Sequence, residues 1–191
     1  IFRKQFVLLF WDVKRAQLVI DQKYWRCSYS RLKYDKKTIL MKQIEILKKK
    51  QYHFPSKEIR ELSLTTLRLT GHVLSECPLV CHDLIASWPA MSIPIIIWRI
   101  GVILEIEKFP LFYSWGDKEW KNLLMKVNKS DWLFPGCLPP ETIRNIIINQ
   151  YTNELIAFKV ICREDNHLIL IHRPRWFNDA QLKLQLVKRR S

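Results

Sequence analysis

Ile95-Ile96-Ile97-Trp98-Arg99-Ile100-Gly101-Val102-Ile103-Leu104-Glu105-Ile106-Glu107 is the stretch on which the fold turns. It is long, apolar and rich in β-branched residues, which favours an extended strand. Gly101 within it marks a bulge or bend that would let one strand serve two sheet faces. Pro94, Arg99 and Gly101 interrupt the run from Ile93 to Leu104, so it reads as buried core rather than a membrane span. This reading predicts an α+β fold: a mainly antiparallel sheet or small OB-like barrel with three to four helices.

Outward from that stretch, Leu67, Leu69, Gly71 and Val73 alternate with Arg68, Thr70 and His72, the pattern of a half-buried strand. Upstream, the apolar run Gln5 to Val13 and the segment Gln17-Leu18-Val19-Ile20 flank Lys14-Arg15-Ala16 and suggest a hairpin. Asp35 is placed to cap a helix running to about Tyr52, with Ile39, Ile44, Ile46 and Leu47 inward. Pro55 stops it, and Ser56 caps a short second helix. Downstream, Asp117 caps a helix with Trp120, Leu123, Leu124 and Val127 on one face. Pro139 and Pro140 open another, with Ile143, Ile146 and Ile147 inward. Leu155 to Cys162 and Leu168 to His172 flank Arg163-Glu164-Asp165-Asn166 as a second hairpin. The alternation of Leu182, Leu184 and Leu186 fits a last strand or a helix. Residues 1–191 read as one domain with a weak seam near 109–116. A winged helix in the last third, with the second hairpin as its wing, is also compatible.

Charge is uneven along the chain. Lys and Arg total 32 against 18 Asp and Glu, a formal charge of +14. Residues 1–60 carry 16 cations and 5 anions, residues 61–120 carry 4 and 7, and residues 121–191 carry 12 and 6. The basic character therefore belongs to the two ends, around a slightly acidic apolar middle, and points to a polyanion partner. With 48% hydrophobic residues and eight Trp, the composition excludes a disordered basic tail. The first residue is Ile1 rather than Met, as in a fragment or processed product. Five irregularly spaced cysteines favour an intracellular, reducing compartment, the nucleus before the cytoplasm.

The stretch from Lys23 to Tyr34 interleaves cations with aromatic rings, the combination that holds single-stranded nucleic acid by phosphate neutralisation and base stacking. Lys23, Trp25, Arg26, Tyr29, Arg31 and Lys33 are its candidate contacts. The competing reading makes Trp25 and Tyr29 core and the cations an edge-strand surface. A second cluster, His172-Arg173-Pro174-Arg175-Trp176-Phe177, adds Arg173 and Arg175 for phosphates and Trp176 for stacking; its competing reading is a hairpin exit with Trp176 tucked under the sheet.

Other chemistry finds less support. Cys77, Cys81 and His82 form C-x3-C-H, with His72 upstream, and Cys162, His167 and His172 form a looser group. Neither brings the paired spacing of a zinc site, and no metal or cofactor is assigned. Glu105 and Glu107, facing the same way on a strand near Asp117, could draw a magnesium-dependent nuclease site, but nothing sets its geometry. Phosphate-binding loops, nucleophile elbows and deaminase motifs are absent, so no catalytic residue is assigned. Gln5 to Arg15 resembles the opening strand of lentiviral Vif proteins, which are also basic and Trp-rich. That family's S-L-Q box is absent here and its H-C-C-H spacing is not reproduced, so no property is carried over.

The function expected from these residues is non-enzymatic binding of RNA or single-stranded DNA. The alternative is a structural subunit that docks a protein partner through Trp88, Ile93, Ile95, Ile97, Phe109, Phe112 and Trp115. No membrane association is expected.

Overall fold

The structure, a computed structural model, describes residues 9–12, 17–20, 36–53, 55–82, 95–127 and 140–188. Strands β1 (Leu9–Asp12) and β2 (Gln17–Ile20) form the expected first hairpin, with Leu9 opposite Ile20 and Asp12 opposite Gln17. Helix α1 spans Lys36–Tyr52; the cap proposed at Asp35 lies outside the described residues. Its buried stripe is Leu40, Ile44 and Leu47, at the i, i+4, i+7 spacing of one helical face, whereas Ile46 is exposed.

Helix α2 (Lys57–Thr70) begins where the sequence indicates, with the Ser56 hydroxyl accepting from the Ile59 amide at 3.4 Å. It then overruns the strand expected at 67–73. The chain stays helical through Thr70 and ends at Gly71, whose φ of 74° lets its amide reach the Leu67 carbonyl at 2.9 Å. The alternation that suggested a strand does not coincide with burial: Leu64, Leu67 and Leu69 are exposed, and Thr66 is buried. Two short 3-10 turns follow, Leu74–Glu76 and Leu79–Cys81.

The decisive correction is Ile95–Glu107, which is helix α3 and not a bulged strand. Every residue from Ile96 to Leu104 is buried, as is Ile106. A helix buried all round is apolar all round, so its sequence carries no helical stripe and its composition imitates a strand. Gly101 accordingly sits inside a helix. α3 packs against α2, the second 3-10 turn and α4 (Asp117–Lys126). With α3 helical, the long bulged strand is absent, and the sheets of the described residues form no closed barrel.

The remaining elements are β3 (Ser114–Gly116), α5 (Pro140–Ala157), β4 (Ile161–Glu164), β5 (His167–Leu170) and α6 (Ala180–Lys188). The described residues thus form six α-helices, not three or four, with the β1–β2 hairpin and an open antiparallel sheet ordered β3-β5-β4. Glu164 pairs with His167 across the Asp165-Asn166 turn, and Asp165 adopts φ 51°, a conformation Asp tolerates better than most residues. This hairpin is shorter than expected because Leu155 to Ala157 still belong to α5, where Ile147 and Ile148 face inward and Ile146 outward. Gly116 rather than Asp117 caps α4. The C-terminal alternation resolves as helix.

The core centres on Trp98, Trp115, Trp120 and Tyr151, all 2% exposed or less. Trp115 meets Phe109, Tyr113 and Trp120 with ring centroids 5.1–5.2 Å apart. Trp120 Nε1 donates to Thr152 Oγ1 at 2.9 Å, tying α4 to α5. A smaller cluster of Leu40, Ile44 and Ala180 joins α1 to α6. Among the described residues, no helix is long and apolar enough to cross a membrane.

Candidate functional site

Lys23, Trp25, Arg26, Tyr29, Arg31 and Lys33 lie outside the described residues; Arg173, Arg175 and Trp176 lie within them. Arg173 donates to the Glu107 carbonyl at 2.7 Å, to Glu107 Oε2 at 3.1 Å and to the Phe109 carbonyl at 2.7 Å. It therefore fastens the segment after β5 to the end of α3 and satisfies carbonyls that the helix leaves unpaired. Trp176 is half-buried, stacked on His72 at 5.8 Å and 9°, with Nε1 3.4 Å from Glu107 Oε1. Arg175 remains exposed, its guanidinium 5.8 Å from the Phe177 ring centre.

This segment borders a cleft of about 310 Å³ lined by Pro78, Leu79, Val80, Phe158, Val160, His172, Arg173, Pro174, Arg175, Phe177 and Leu186. Its apolar floor joins the second 3-10 turn to α6. Its rim carries exposed His172 and Arg175 and the Phe158 ring, which is 41% exposed. His172 Nδ1 lies 3.1 Å from the Lys159 carbonyl, so that nitrogen carries the proton. The arrangement combines a cation, an imidazole and a flat ring beside a shallow apolar groove. The sequence singled out the cations but missed Phe158, because only the turn from α5 into β4 brings it there.

The nuclease arrangement is not assembled. Glu105 pairs with Lys108 at 2.6 Å, Glu107 with Arg173 and Asp117 with Arg163 at 3.3 Å. On a helix, residues two apart point to nearly opposite sides, so Glu105 and Glu107 diverge. A larger cleft of about 1020 Å³ includes Glu105, Asp117, Glu119, Lys118 and Lys126. Among the described residues, no group of three or more His, Cys, Asp and Glu forms a candidate metal site. His72 instead pairs with Glu76 at 3.1 Å.

A second assembly lies under the cleft, where the 3-10 turns meet α1 and α6. Lys183 is fully buried, and its Nζ lies 2.7 Å from the Ser75 carbonyl, 3.0 Å from His82 Nε2 and 3.6 Å from Cys77 Sγ. Cys77 Sγ is 3.5 Å from His82 Nε2, and His82 Nδ1 is 3.1 Å from Gln43 Oε1. Next to it, buried Arg99 makes a two-pronged contact with Glu154 at 2.7 and 3.0 Å and donates to the His82 carbonyl at 3.1 Å. Sequence reading found the cysteines but not Lys183, whose neighbours Leu182 and Leu184 suggest only an amphipathic end.

Burial raises the Cys77 thiol, but the hydrogen bond from Cys81 and the charges of His82 and Lys183 outweigh it and hold Cys77 well below its usual range. Burial and the neighbouring Cys77 push Cys81 well above that range, and burial lowers His82. A lowered Cys77 contributes stability that is complete above the unfolded thiol value, ~8.5, and lost as pH falls through its folded value. His82 acts in the same direction below ~6.5, whereas Cys81 opposes folding above ~8.5. Thermal midpoints are therefore expected to rise as pH approaches about 8.5 and then to fall. Cys77→Ser should flatten the rise; equal pH profiles for the two proteins would contradict the assignment.

Compared with known proteins, the chain matches no family model, no curated sequence and no solved structure.

Proposed function

We propose that this chain is a non-enzymatic nucleic-acid-binding protein that takes RNA or single-stranded DNA across the Phe158–His172–Arg175 rim. The observation that carries this reading is the exposed Arg175 beside the exposed Phe158 ring on one cleft, within a third of the chain that is net basic. Arg175 contacts phosphate and Phe158 stacks on a base. Arg173 and Trp176 act as positioning residues, since their polar atoms contact Glu107 and Phe109.

A double-stranded reading is favoured by a different observation. α3, β3, α4, α5 and the β4–β5 hairpin follow one another with β5 central in the sheet, the arrangement of a winged helix. α5 turns Asn145, Asn149 and Asn153 outward on one face, and Asn suits adenine in the major groove. α4 presents exposed Lys118, Lys121 and Lys126 for phosphates. Docking through the apolar middle third has weaker support: Ile97 and Trp115 are buried, Ile95 and Phe109 pack on the core, and Phe112 is 75% exposed. Trp88 and Ile93 lie outside the described residues.

Oligonucleotide binding measured across a salt series separates these possibilities. Phe158→Ala is expected to weaken single-strand binding by roughly 1–3 kcal/mol. Arg175→Ala should reduce the salt slope by about one phosphate contact. Asn149→Ala should leave single strands unaffected. Loss of duplex binding in Asn149→Ala, with single-strand binding unchanged in Phe158→Ala, would transfer the site to α5. No binding to either at low salt would defeat both readings.

A further inference from the structure

We propose that one end of the three-stranded sheet is a two-platform track for an extended single strand, with Phe112 as a second stacking ring and Lys159 as a second phosphate contact beside Phe158 and Arg175. The inference rests on the single-strand reading above and adds the path of the strand across the sheet. Its placement follows from the order β3-β5-β4, in which both outer strands run antiparallel to β5. The residues entering β3, leaving β5 and entering β4 therefore meet at one end. Backbone hydrogen bonds close that end. The Phe112 amide donates to the Leu170 carbonyl at 2.8 Å, and the Ile171 and His172 amides donate to the Val160 carbonyl at 2.9 and 3.2 Å. Phe112 and Phe158 thus flank the exit of β5 on opposite sides, on segments about 10 Å apart, two strand spacings.

Both rings stand in water. Phe112 is 75% exposed and Phe158 41%, while Phe109, Tyr113 and Trp115 next to Phe112 pack on one another. Among the described residues no other large apolar side chain is as exposed as Phe112. Packing does not hold it there, and the backbone opposes it: φ is 66°, a region that bulky side chains rarely adopt. Lys159 shares this feature with φ 57°. Glycine would take either conformation without strain. A ring and an ammonium are presented at the same sheet end in spite of it, and strain of this kind gathers at binding sites.

Charge selects the occupant. Segments 108–113, 157–160 and 171–177 contain Lys108, Lys159, Arg173 and Arg175 and no Asp or Glu. The opposite end of the sheet, residues 116–117 and 163–167, sets Arg163 against Asp117, Glu164 and Asp165. Lys108 and Arg173 are engaged by Glu105 and Glu107. Among the described residues, Lys159 and Arg175 form no ion pair. Two unpaired cations with two exposed rings fit a polyanion that carries flat bases. The separation of about 10 Å is roughly three times the 3.4 Å rise of a stacked strand, so a base on each ring requires a strand unstacked between them. A duplex keeps its bases stacked inside and offers neither ring a face.

The test measures fluorescence anisotropy of labelled oligo-U and oligo-dT of about twelve nucleotides with the full chain across a salt series. Phe112→Gly removes the ring and suits the positive φ, so its thermal midpoint should stay close to the wild type's. Its affinity for the oligonucleotides should fall about 5- to 150-fold. Lys159→Asn keeps a residue that tolerates this backbone and removes the charge, and its salt slope should fall by about one phosphate contact. Unchanged affinity in Phe112→Gly, with loss in Phe158→Ala, would overturn the second platform and leave the single-strand reading standing. A midpoint for Phe112→Gly well below the wild type's would make the ring a packing residue and overturn its assignment. Binding of neither oligonucleotide by the wild type would defeat the single-strand reading and the track with it.

Discussion

Glu154→Ala is expected to destabilise the fold by roughly 3–5 kcal/mol, because it removes one partner of a buried, two-pronged ion pair and with it the link from α3 to α5. Arg99 is 1% exposed and Glu154 15%, and their contact joins α3 to α5 across 55 positions of sequence. The substitution removes both hydrogen bonds that this carboxylate accepts from Arg99, whose guanidinium also lies 4.7 Å from the Tyr151 ring centre and donates to the His82 carbonyl. The pair itself is a weaker contributor than its breakage suggests, since both ions are desolvated to form it. Replacing both at once, Arg99→Met with Glu154→Leu, should therefore recover most of the loss. Chemical denaturation of the three variants checks this. A double variant as unstable as Glu154→Ala would show that Arg99 is needed for contacts other than its charge pairing.

Trp98→Ala should cost about 3–5 kcal/mol. Trp98 is 1% exposed, its ring is 5.3 Å from Tyr151, and its Nε1 donates to the Leu124 carbonyl at 3.2 Å near the end of α4. One side chain thus joins α3, α4 and α5. Truncation leaves a cavity and removes the hydrogen bond to the Leu124 carbonyl, whereas Trp98→Phe keeps most of the ring volume and should cost clearly less. A denaturant midpoint for Trp98→Ala close to the wild type would mean that α3 is not the central helix.

The failures of the sequence reading have a common cause. In 95–107 every face of the helix meets protein, so no polar stripe records its period, and β-branched composition then points the wrong way. In α2 the reverse occurs: leucines at 64, 67 and 69 remain exposed, so alternation of residue type does not report alternation of burial. Where one face meets water the pattern was readable. α4 and its C-cap place Trp120, Leu124 and Val127 inward as expected, and the Ser56 cap and the β4–β5 hairpin follow local capping and turn chemistry.

At the candidate site, Arg173 and Arg175 are sequence neighbours with different fates. One closes the end of α3 and the other remains exposed, because backbone carbonyls 64 and 66 positions away reach only the first. Lys183 carries no local mark of burial, and its acceptors lie at Ser75, Cys77 and His82, more than 100 positions distant.

By itself the sequence determined the uneven charge, the Ser56 cap, the existence of two hairpins and the one-sided face of α4, since these depend on residues within a few positions of one another. Tertiary structure alone decided that the most apolar segment is a helix, that Phe158 joins Arg175 at one cleft, and that a lysine and a cysteine share a buried site. Burial and long-range pairing are properties of a packed chain, and composition at a single position does not encode its distant neighbours.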